Sequence, residues 1–370
     1  MKPEKRLFLT GTMRTGGSLL ITMLSAHSKI LILNERVHFF RFVYDRYNPL
    51  NAENTERLLR KQAARLRHRN NADFDVDGIF RAIQRRGFTY KNIYDEMMCH
   101  FMKMADRSIW GEFAALQWRE IPIYLDLFPA GKAIHMYRDP RGVLSSWKKL
   151  SSIPNNAYLN AIFNWVDSAN HVKHYQETLG KDRYYAVRYE DIMADPEKEV
   201  RSICQFIDVE FEPELMQPET WPERFNTSLV KVPRSAHEGS GILGFSTQRT
   251  DNWRKHLENW ELALVDVLAG SQIADAGYSQ AQKAYTPDEF QKGLTLMQQN
   301  PLLLENLITF LTTGQGVDTY PMDPTDPNSW GAPHNPSEWF TESPAAEPYF
   351  RDLEKIEEYL NKKYNEQSAL

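Results

Sequence analysis

The chain has 370 residues, of which 42% are hydrophobic, so it is long enough to bury one large core or two smaller ones. Its formal net charge of -5 excludes a global electrostatic attraction to nucleic acid and restricts any anion binding to local sites. The two cysteines, Cys99 and Cys204, lack the spacing of metal ligands, and we expect them to be free thiols in a reducing compartment.

We expect no targeting segment at the amino terminus. The polar residues MKPEK are followed by RLFLT, which runs straight into glycines and leaves no apolar stretch of signal-peptide length. No apolar run approaches the roughly 18 residues that span a bilayer. We therefore expect a soluble cytoplasmic protein that binds neither membranes nor nucleic acid.

Short apolar runs alternate with polar turns and helical segments along the chain. The runs predicted as buried strands are residues 7–10, 30–33, 133–137 and 184–187. The first run precedes a helix predicted over residues 18–27, in the order strand, loop, helix that a phosphate-binding loop requires. We predict a P-loop-like α/β fold of three layers, with helices flanking a central parallel sheet. Ligands of such sheets lie at the carboxyl ends of the strands.

The domain organisation follows from composition. Residues 1–285 are predicted to form one domain, interrupted at about residues 48–107 by a mostly helical insertion. The basic segment 57–69 of this insertion is either a solvated helix face or a site that attracts an anionic substrate. Residues 286–370 are predicted to form an irregular C-terminal extension, packed on or covering the domain, with a helical stretch at 349–364.

The stretch GTMRTGGS follows the first predicted strand and matches the phosphate-loop pattern G-x-x-x-x-G-K-[ST] except at its lysine. Gly17 stands in the lysine position, so the loop is poorly fitted to the triphosphate and Mg²⁺ of a kinase. Arg14, three positions earlier, could fold over a bound anion while the amides of residues 15–18 point at it from the helix start. We therefore expect an anion site whose cation is an arginine on the loop.

The same loop resembles a motif of a known family. MRTGGSL, residues 13–19, is similar to the 5'-phosphosulfate loop P-[KR]-S-G-T-[TS]-L of sulfotransferases that use 3'-phosphoadenosine 5'-phosphosulfate (PAPS). Met13 replaces the usual proline, and Gly17 replaces a usual threonine, which removes one hydroxyl donor to the phosphate. The resemblance implies that the loop binds the 5' end of PAPS. Its candidate binding residues are Arg14, Thr15, Gly16, Gly17, Ser18 and Leu19.

A second stretch, IHMYRDPRGVLSSW, resembles the 3'-phosphate motif of the same family, a strand that ends in R-[ND]-P-x-x-x-x-x-S. Arg138 opens this motif at the end of a predicted strand. Ser146 lies two turns into the following helix, so both side chains can converge on one phosphate. We expect Arg138 and Ser146 to bind the 3'-phosphate of PAPS.

Two later stretches extend the resemblance to about residue 280. VRYEDIMADPEKEV is similar to the family element Y-E-D-L-x-x-x-P, which implies that Tyr189 lies against the adenine. GFSTQRTDNWRKHL is similar to the late loop that closes over the nucleotide, which makes Ser246 and Arg249 candidate contacts. Trp253 in this stretch is expected to pack in the core.

The resemblance also suggests a general base. Cytosolic members use a histidine after the third strand, whereas Golgi-type and protein-tyrosine members use a glutamate after the second. Residues 109–118 contain no histidine, and Glu35 in LILNERVHFF matches the glutamate type. Glu112, where related enzymes carry W-G-[DE]-K with Phe113 here in the lysine position, and His38 are the alternatives.

These matches imply a PAPS-dependent sulfotransferase that transfers a sulfuryl group to a hydroxyl, or alternatively an amine, of a small molecule or carbohydrate. Glu35 is expected to act as general base and Arg14 to stabilise the leaving oxygen, with 3'-phosphoadenosine 5'-phosphate (PAP) as product. No metal is expected, because no set of ligands has metal-binding spacing. A P-loop kinase of small metabolites and a non-catalytic nucleotide-binding protein are the alternatives. The acceptor and the oligomeric state are left open.

Overall fold

A five-stranded parallel sheet forms the centre of the protein. The structure is a computed structural model that describes residues 2–149, 156–225, 229–230, 245–279, 285–317 and 330. The strands are β1 Lys5–Gly11, β2 Ile30–Asn34, β3 Ile109–Phe113, β4 Lys132–Tyr137 and β5 Tyr184–Arg188. All neighbouring pairs are parallel, in the order β2-β3-β1-β4-β5. The predicted α/β fold with a parallel sheet flanked by helices is confirmed.

One strand of this sheet, β3, is missing from the four runs predicted as strands. Its sequence IWGEF contains Gly111 and Glu112, so it does not read as a continuous apolar run. All five residues are nevertheless buried, because β3 pairs with β1 on one side and with β2 on the other. A Cβ atom at Gly111 would lie 3.0 Å from the Cβ atom of Leu7, so the glycine allows close packing on this strand.

Helices connect the strands and cover the sheet. The helices are α1 Gly17–Ser25, α2 Phe39–Phe42, α3 Ala52–Asn70, α4 Val76–Arg86, α5 Tyr90–Met104, α6 Ile121–Leu127, α7 Pro140–Lys148, α8 Asn160–Thr178, α9 Tyr189–Ala194, α10 Pro196–Ile207, α11 Trp221–Arg224, α12 Asn259–Asp275, α13 Pro287–Gln298 and α14 Pro301–Thr313. The helix predicted after the first strand corresponds to α1, which is two residues shorter at its C-terminal end. The insertion predicted at about 48–107 is helical in α3, α4 and α5.

The chain divides into two compact units, and the first contains the sheet. It comprises residues 1–35 and 102–317. A hydrophobic cluster in this unit joins α7, α8 and α12 to the two helices α13 and α14. The described residues of the predicted irregular C-terminal extension up to residue 317 are therefore largely helical and belong to the first unit. Trp253 is buried in this cluster, with the guanidinium of Arg141 4.4 Å from its ring centroid.

The second unit comprises residues 36–101 and 318–370, and Trp330 is the described residue of its second segment. Arg65 in the basic stretch of α3 is buried there and donates a hydrogen bond to the carbonyl oxygen of Val37 at 2.9 Å. Its guanidinium lies 4.5 Å from the ring centroid of Phe42. The basic segment is therefore neither wholly a solvated face nor wholly a ligand site, since Arg65 makes buried contacts within the unit.

Other predictions concern the cysteines, membrane-spanning segments and the C-terminal tail. Cys99 and Cys204 are both buried free thiols, as expected. No helix among the described residues is long and apolar enough to cross a bilayer. The helical stretch predicted at 349–364 lies outside the described residues, as does most of the tail after residue 317.

Candidate active site

The loop between β1 and α1 is shaped by two residues with left-handed backbone conformation. Gly16 caps the N-terminus of α1 with φ 100°, and Arg14 has φ 70°. A Cβ atom at Gly16 would lie 2.6 Å from Cδ2 of Tyr189 and 2.9 Å from Cε of Met136. Position 16 therefore requires glycine both for its conformation and for the close approach of Tyr189.

The side chains of this loop point in different directions. Arg14 and Ser18 are exposed, whereas Thr15 is buried and its hydroxyl donates to the carbonyl oxygen of Thr12 at 2.7 Å. Leu19 has a buried side chain, and its amide donates to the carbonyl oxygen of Gly16 at 2.9 Å. Of the loop side chains predicted to bind PAPS, Arg14 and Ser18 are thus the accessible ones.

Arg138 links the phosphate loop to the other predicted nucleotide contacts. It follows β4, and its Nη1 donates to the carbonyl oxygen of Arg14 at 3.2 Å while its Nη2 donates to that of Arg249 at 3.0 Å. Its guanidinium lies 4.3 Å from the ring centroid of Tyr189. Gly142 on α7 makes room for this side chain, because a Cβ atom there would lie 2.9 Å from Nε of Arg138.

Ser146 lies on α7, as the spacing predicts, and meets Arg14. Nε of Arg14 donates to Oγ of Ser146 at 2.9 Å. The prediction paired Ser146 with Arg138 at one phosphate, and the structure joins all three residues into one chain of contacts. Since parallel strands end at the same edge of the sheet, the carboxyl ends of β1 and β4 bring these side chains together.

Tyr189 is the first residue of α9 and is buried beside two arginines. Burial raises the pKa of its hydroxyl, while the positive charges of Arg138 and Arg249 act to lower it. Ser246 contacts this helix, since its amide donates to Sδ of Met193 at 3.4 Å. The structure therefore places the predicted late-loop contacts Ser246 and Arg249 next to the predicted adenine-binding element.

Glu35 lies on the opposite side of β1, directly after β2. Its backbone has φ 50°, and its amide donates to the carbonyl oxygen of Phe113 at 2.9 Å. Oε1 of Glu35 accepts a hydrogen bond from the amide of Ala115 at 3.1 Å. The side chain is partly exposed. The amide of Ala115 thus holds an accessible carboxylate at the carboxyl edge of the sheet.

The two alternative bases stand in different surroundings. Glu112 is fully buried within β3, where its register partners are Phe8 on β1 and Leu33 on β2. This burial disfavours direct access of an acceptor to its carboxyl group. His38 belongs to the second unit, is buried, and packs edge-on against Phe42 with ring centroids 5.7 Å apart.

Sequence reasoning passed over Glu190, although it stands inside the quoted stretch VRYEDIMADPEKEV. Oε1 of Glu190 accepts a hydrogen bond from the amide of Asp139 at 3.1 Å, and Oε2 accepts one from the hydroxyl of Tyr278 at 2.8 Å. Burial raises the pKa of Glu190, while these two hydrogen bonds act to lower it. Its position between Tyr189 and the loop after Arg138 makes it a structural tie within the site. The sequence signal for this role was a carboxylate directly after Tyr189, the residue predicted to lie against the adenine.

The described ranges, residues 2–149, 156–225, 229–230, 245–279, 285–317 and 330, offer no clustered metal ligands. No group of three or more His, Cys, Asp or Glu side chains in these ranges is placed to hold a metal ion. The charges that converge at the carboxyl edge of β1 and β4 are cationic, and cationic side chains suit an anion.

Comparison with known proteins agrees with the motifs. The sequence model of the sulfotransferase family matches residues 6–213, more than half of the chain. Human carbohydrate sulfotransferase 3 is 29% identical over 133 residues, which covers 36% of this chain and 24% of the relative. The protein-tyrosine sulfotransferase of Drosophila melanogaster is 30% identical over 120 residues, which covers 31% of this chain and 24% of the relative. The chain thus spans about a quarter of the length of these curated relatives.

Among solved structures, a mouse sulfotransferase complexed with PAP matches with a TM-score of 0.41 and 11% identity, over 80% of this chain and 88% of that chain. The predicted similarity to carbohydrate and protein-tyrosine sulfotransferases is confirmed by the two curated relatives. Since the family model covers residues 6–213, the chain belongs to the sulfotransferase family.

Proposed function

We propose that this protein transfers the sulfuryl group of PAPS to a hydroxyl group, with an amine as the alternative, of a small molecule or carbohydrate. The observation that carries the proposal is the set of contacts among Arg14, Arg138 and Tyr189 at the carboxyl edge of the sheet. Two guanidinium groups beside an aromatic ring suit the two phosphate-bearing ends and the base of PAPS. The similarity to carbohydrate and protein-tyrosine sulfotransferases supports a hydroxyl acceptor.

The described residues fit an anionic nucleotide. The buried Nε of Arg138 has no hydrogen-bond partner among the described residues, and an anion would supply one. Arg14 is exposed beside the N-terminus of α1, where the first amides of a helix have no partner within the helix and attract negative charge. We assign Arg14, Ser18 and these amides to the 5' end, and Arg138 with Ser146 to the 3'-phosphate.

Glu35 is the proposed general base. It would accept the proton of the acceptor hydroxyl while the hydroxyl oxygen attacks sulfur, and the bond from sulfur to the 5'-phosphate oxygen would break. The amide of Ala115 holds Oε1 of the carboxylate in a fixed position. A fixed base lowers the barrier because no reorientation is needed when the proton moves.

Arg14 is the proposed stabiliser of the leaving group. As the bond from sulfur to oxygen breaks, negative charge builds on the phosphate oxygen of PAP, and a guanidinium aimed at that oxygen offsets it. The left-handed backbone at Arg14 supports this role, since strained residues cluster at functional sites. All the groups named so far lie in the first unit.

Turnover tests this proposal directly. The purified chain is incubated with PAPS and a panel of sugars, small alcohols, tyrosine peptides and amines, and mass spectrometry detects the addition of sulfate. We expect sulfation of at least one hydroxyl class, with release of PAP. Arg14→Ala should abolish turnover, and Arg14→Lys, which keeps the charge without the forked geometry, should retain a part of it.

The alternatives predict different products. A P-loop kinase would require Mg²⁺, would transfer a phosphoryl group from ATP to an acceptor, and would not use PAPS. A non-catalytic nucleotide-binding protein would bind PAP but leave PAPS intact with every acceptor. Phosphate transfer from ATP in the same panel contradicts the proposal.

A further inference from the structure

The backbone conformation at Gly17 does not require a glycine. Gly17 is the first residue of α1 and, unlike Gly16, does not have a left-handed backbone. The absence of a side chain at this position therefore needs another cause. A Cβ atom at position 17 would lie no more than 3.1 Å from Cζ, Cε1 and Cε2 of Phe113. The phenyl ring occupies the space that a side chain at position 17 would take.

Phe113 stands between the two halves of the proposed site. It is the last residue of β3, and its register partners are Leu9 on β1 and Asn34 on β2. Its ring packs on the first turn of α1, whose amides are assigned to the 5' end of the nucleotide. Its carbonyl oxygen holds the backbone of Glu35 at 2.9 Å. One residue therefore touches the donor-binding loop with its side chain and the proposed base with its backbone.

Phe113 is buried, with 6% of the residue's surface exposed. Related enzymes carry a lysine at this position, in the pattern W-G-[DE]-K. The ammonium group of a lysine would retain water here, whereas the phenyl ring of Phe113 offers no hydrogen-bond donor to hold a water molecule. Excluding water strengthens the interaction between a guanidinium such as that of Arg14 and a phosphate. It also protects a reactive group from hydrolysis.

We propose that Phe113 shields the sulfuryl group of bound PAPS from water, and that position 17 is glycine to make room for this shielding ring. The inference rests on the proposed function. It applies to the competing reaction, in which a water oxygen attacks sulfur and the bond from sulfur to the 5'-phosphate oxygen breaks. The electron pair stays on PAP, the water proton passes to a base, and sulfate leaves.

The experiment measures PAP release from PAPS without any acceptor, so it does not depend on the acceptor's identity. Phe113→Ala should raise this rate at least about tenfold, because the ring no longer excludes water. Phe113→Leu, the matched apolar control, should stay within about threefold of the unmodified protein, since it keeps an apolar side chain in place. Thermal unfolding checks that each variant is folded.

Gly17→Ala provides a second, independent variant. It keeps the ring but displaces it, so acceptor-free hydrolysis should rise here as well. In the double variant Gly17→Ala/Phe113→Ala the rate should equal that of Phe113→Ala alone, because residues in contact are not additive. An unchanged hydrolysis rate in both single variants overturns the inference, and so do effects that add independently.

Binding of PAP to the unmodified protein separates the two levels of the argument. It is measured first, by calorimetry. If PAP does not bind, the proposed function fails together with the inference. If PAP binds but hydrolysis is the same in all the variants, the shielding role of Phe113 alone is rejected.

Discussion

The two sides of the sheet about β1 are built differently. On one side, β4 and β5 carry Arg138 and Tyr189, which are joined to the phosphate loop by hydrogen bonds and by the stacking of guanidinium on ring. On the other side, β3 and β2 carry Phe113 and Glu35, which are held by packing on α1 and by backbone contacts. The first side follows the family motifs, whereas the second departs from them at Phe113, whose ring contacts a further departure, Gly17 on α1.

This difference assigns distinct tasks to the two sides. Charge-assisted hydrogen bonds fix a nucleotide through its phosphates. We therefore expect the side of β4 and β5, called the affinity side below, to determine how tightly the nucleotide binds. On the other side a positioned carboxylate can accept a proton, and an apolar ring beside it can exclude water. We therefore expect the side of β2 and β3, called the rate side below, to determine the rate of sulfuryl transfer. Variants on one side should therefore change binding without changing chemistry, and variants on the other should do the reverse.

Among the variants that compare the two sides, the largest expected effect concerns Glu35 on the rate side. Glu35→Gln keeps the oxygen that accepts from the amide of Ala115 but cannot take a proton, so turnover should fall by about 10²- to 10⁴-fold. The dissociation constant of PAP, measured by calorimetry, should stay the same. His38→Asn is the comparison variant for the alternative base. Loss of turnover in His38→Asn with full activity in Glu35→Gln would move the base to the second unit.

Gly16 sharpens the comparison from the affinity side. Gly16→Ala should weaken PAP binding by about tenfold or more, because an alanine at φ 100° is strained by about 1–2 kcal/mol and its Cβ atom collides with Tyr189. The same loss should be seen when Gly16→Ala is compared with Gly16 in a Tyr189→Ala background, since the backbone strain stays when the ring is removed. Calorimetry with PAP makes this measurement. Equal affinities of Tyr189→Ala and the double variant for PAP would show that space alone requires this glycine.

His135 separates the stability of the sheet from the chemistry at its edge. It is fully buried in β4, and burial lowers its pKa to about 3. Between that value and the ordinary pKa of about 6.5, the unfolded chain binds a proton that the folded protein does not. The free energy of unfolding should therefore fall by up to about 1.4 kcal/mol for each pH unit below about 6.5 from this residue alone.

Urea unfolding between pH 5 and 7 tests this contribution. His135→Gln keeps a polar side chain beside Ser168 and Tyr184, whose hydroxyls lie 2.8 Å and 3.1 Å from the ring nitrogens of His135. The variant should show a shallower loss of stability on acidification than the unmodified protein. Parallel profiles for the two proteins would mean that folding does not lower the pKa of His135.

The smallest expected effect concerns Ser146. Ser146→Ala removes one hydroxyl, which accepts from Nε of Arg14 at 2.9 Å, and because this hydrogen bond is exposed to solvent we expect it to contribute about 0.5–1.5 kcal/mol. PAP binding should weaken by about threefold to tenfold, and Ser145→Ala, on a neighbouring position of α7, is the control. A loss comparable with that of an arginine variant would give Ser146 a role beyond one hydrogen bond.

Much of the fold and of the affinity side could be predicted from the sequence. The strands were readable where apolar runs are continuous, and Arg14, Arg138 and Ser146 were readable because their spacing places them on one strand end, one loop and one helix. The fifth strand was missed because Gly111 and Glu112 interrupt its apolar pattern, although pairing on both sides buries it.

Contacts between distant positions could not be predicted in this way. Gly17 and Phe113 each looked like an isolated departure from a motif, and only the fold brings them into contact. The same is true of Glu190, whose partners Asp139 and Tyr278 are far away in sequence. Local spacing describes one element at a time, whereas packing joins side chains from several strands.

The central claim is that Arg138 and the loop of Arg14 bind opposite ends of one nucleotide with two phosphates. The most direct test compares the affinities of PAP and 5'-AMP, which differ by the 3'-phosphate, in the unmodified protein and in Arg138→Ala. We predict that PAP binds about 100-fold more tightly than 5'-AMP in the unmodified protein, and that most of this preference is lost in the variant. Equal affinities for the two nucleotides in the unmodified protein would contradict the account.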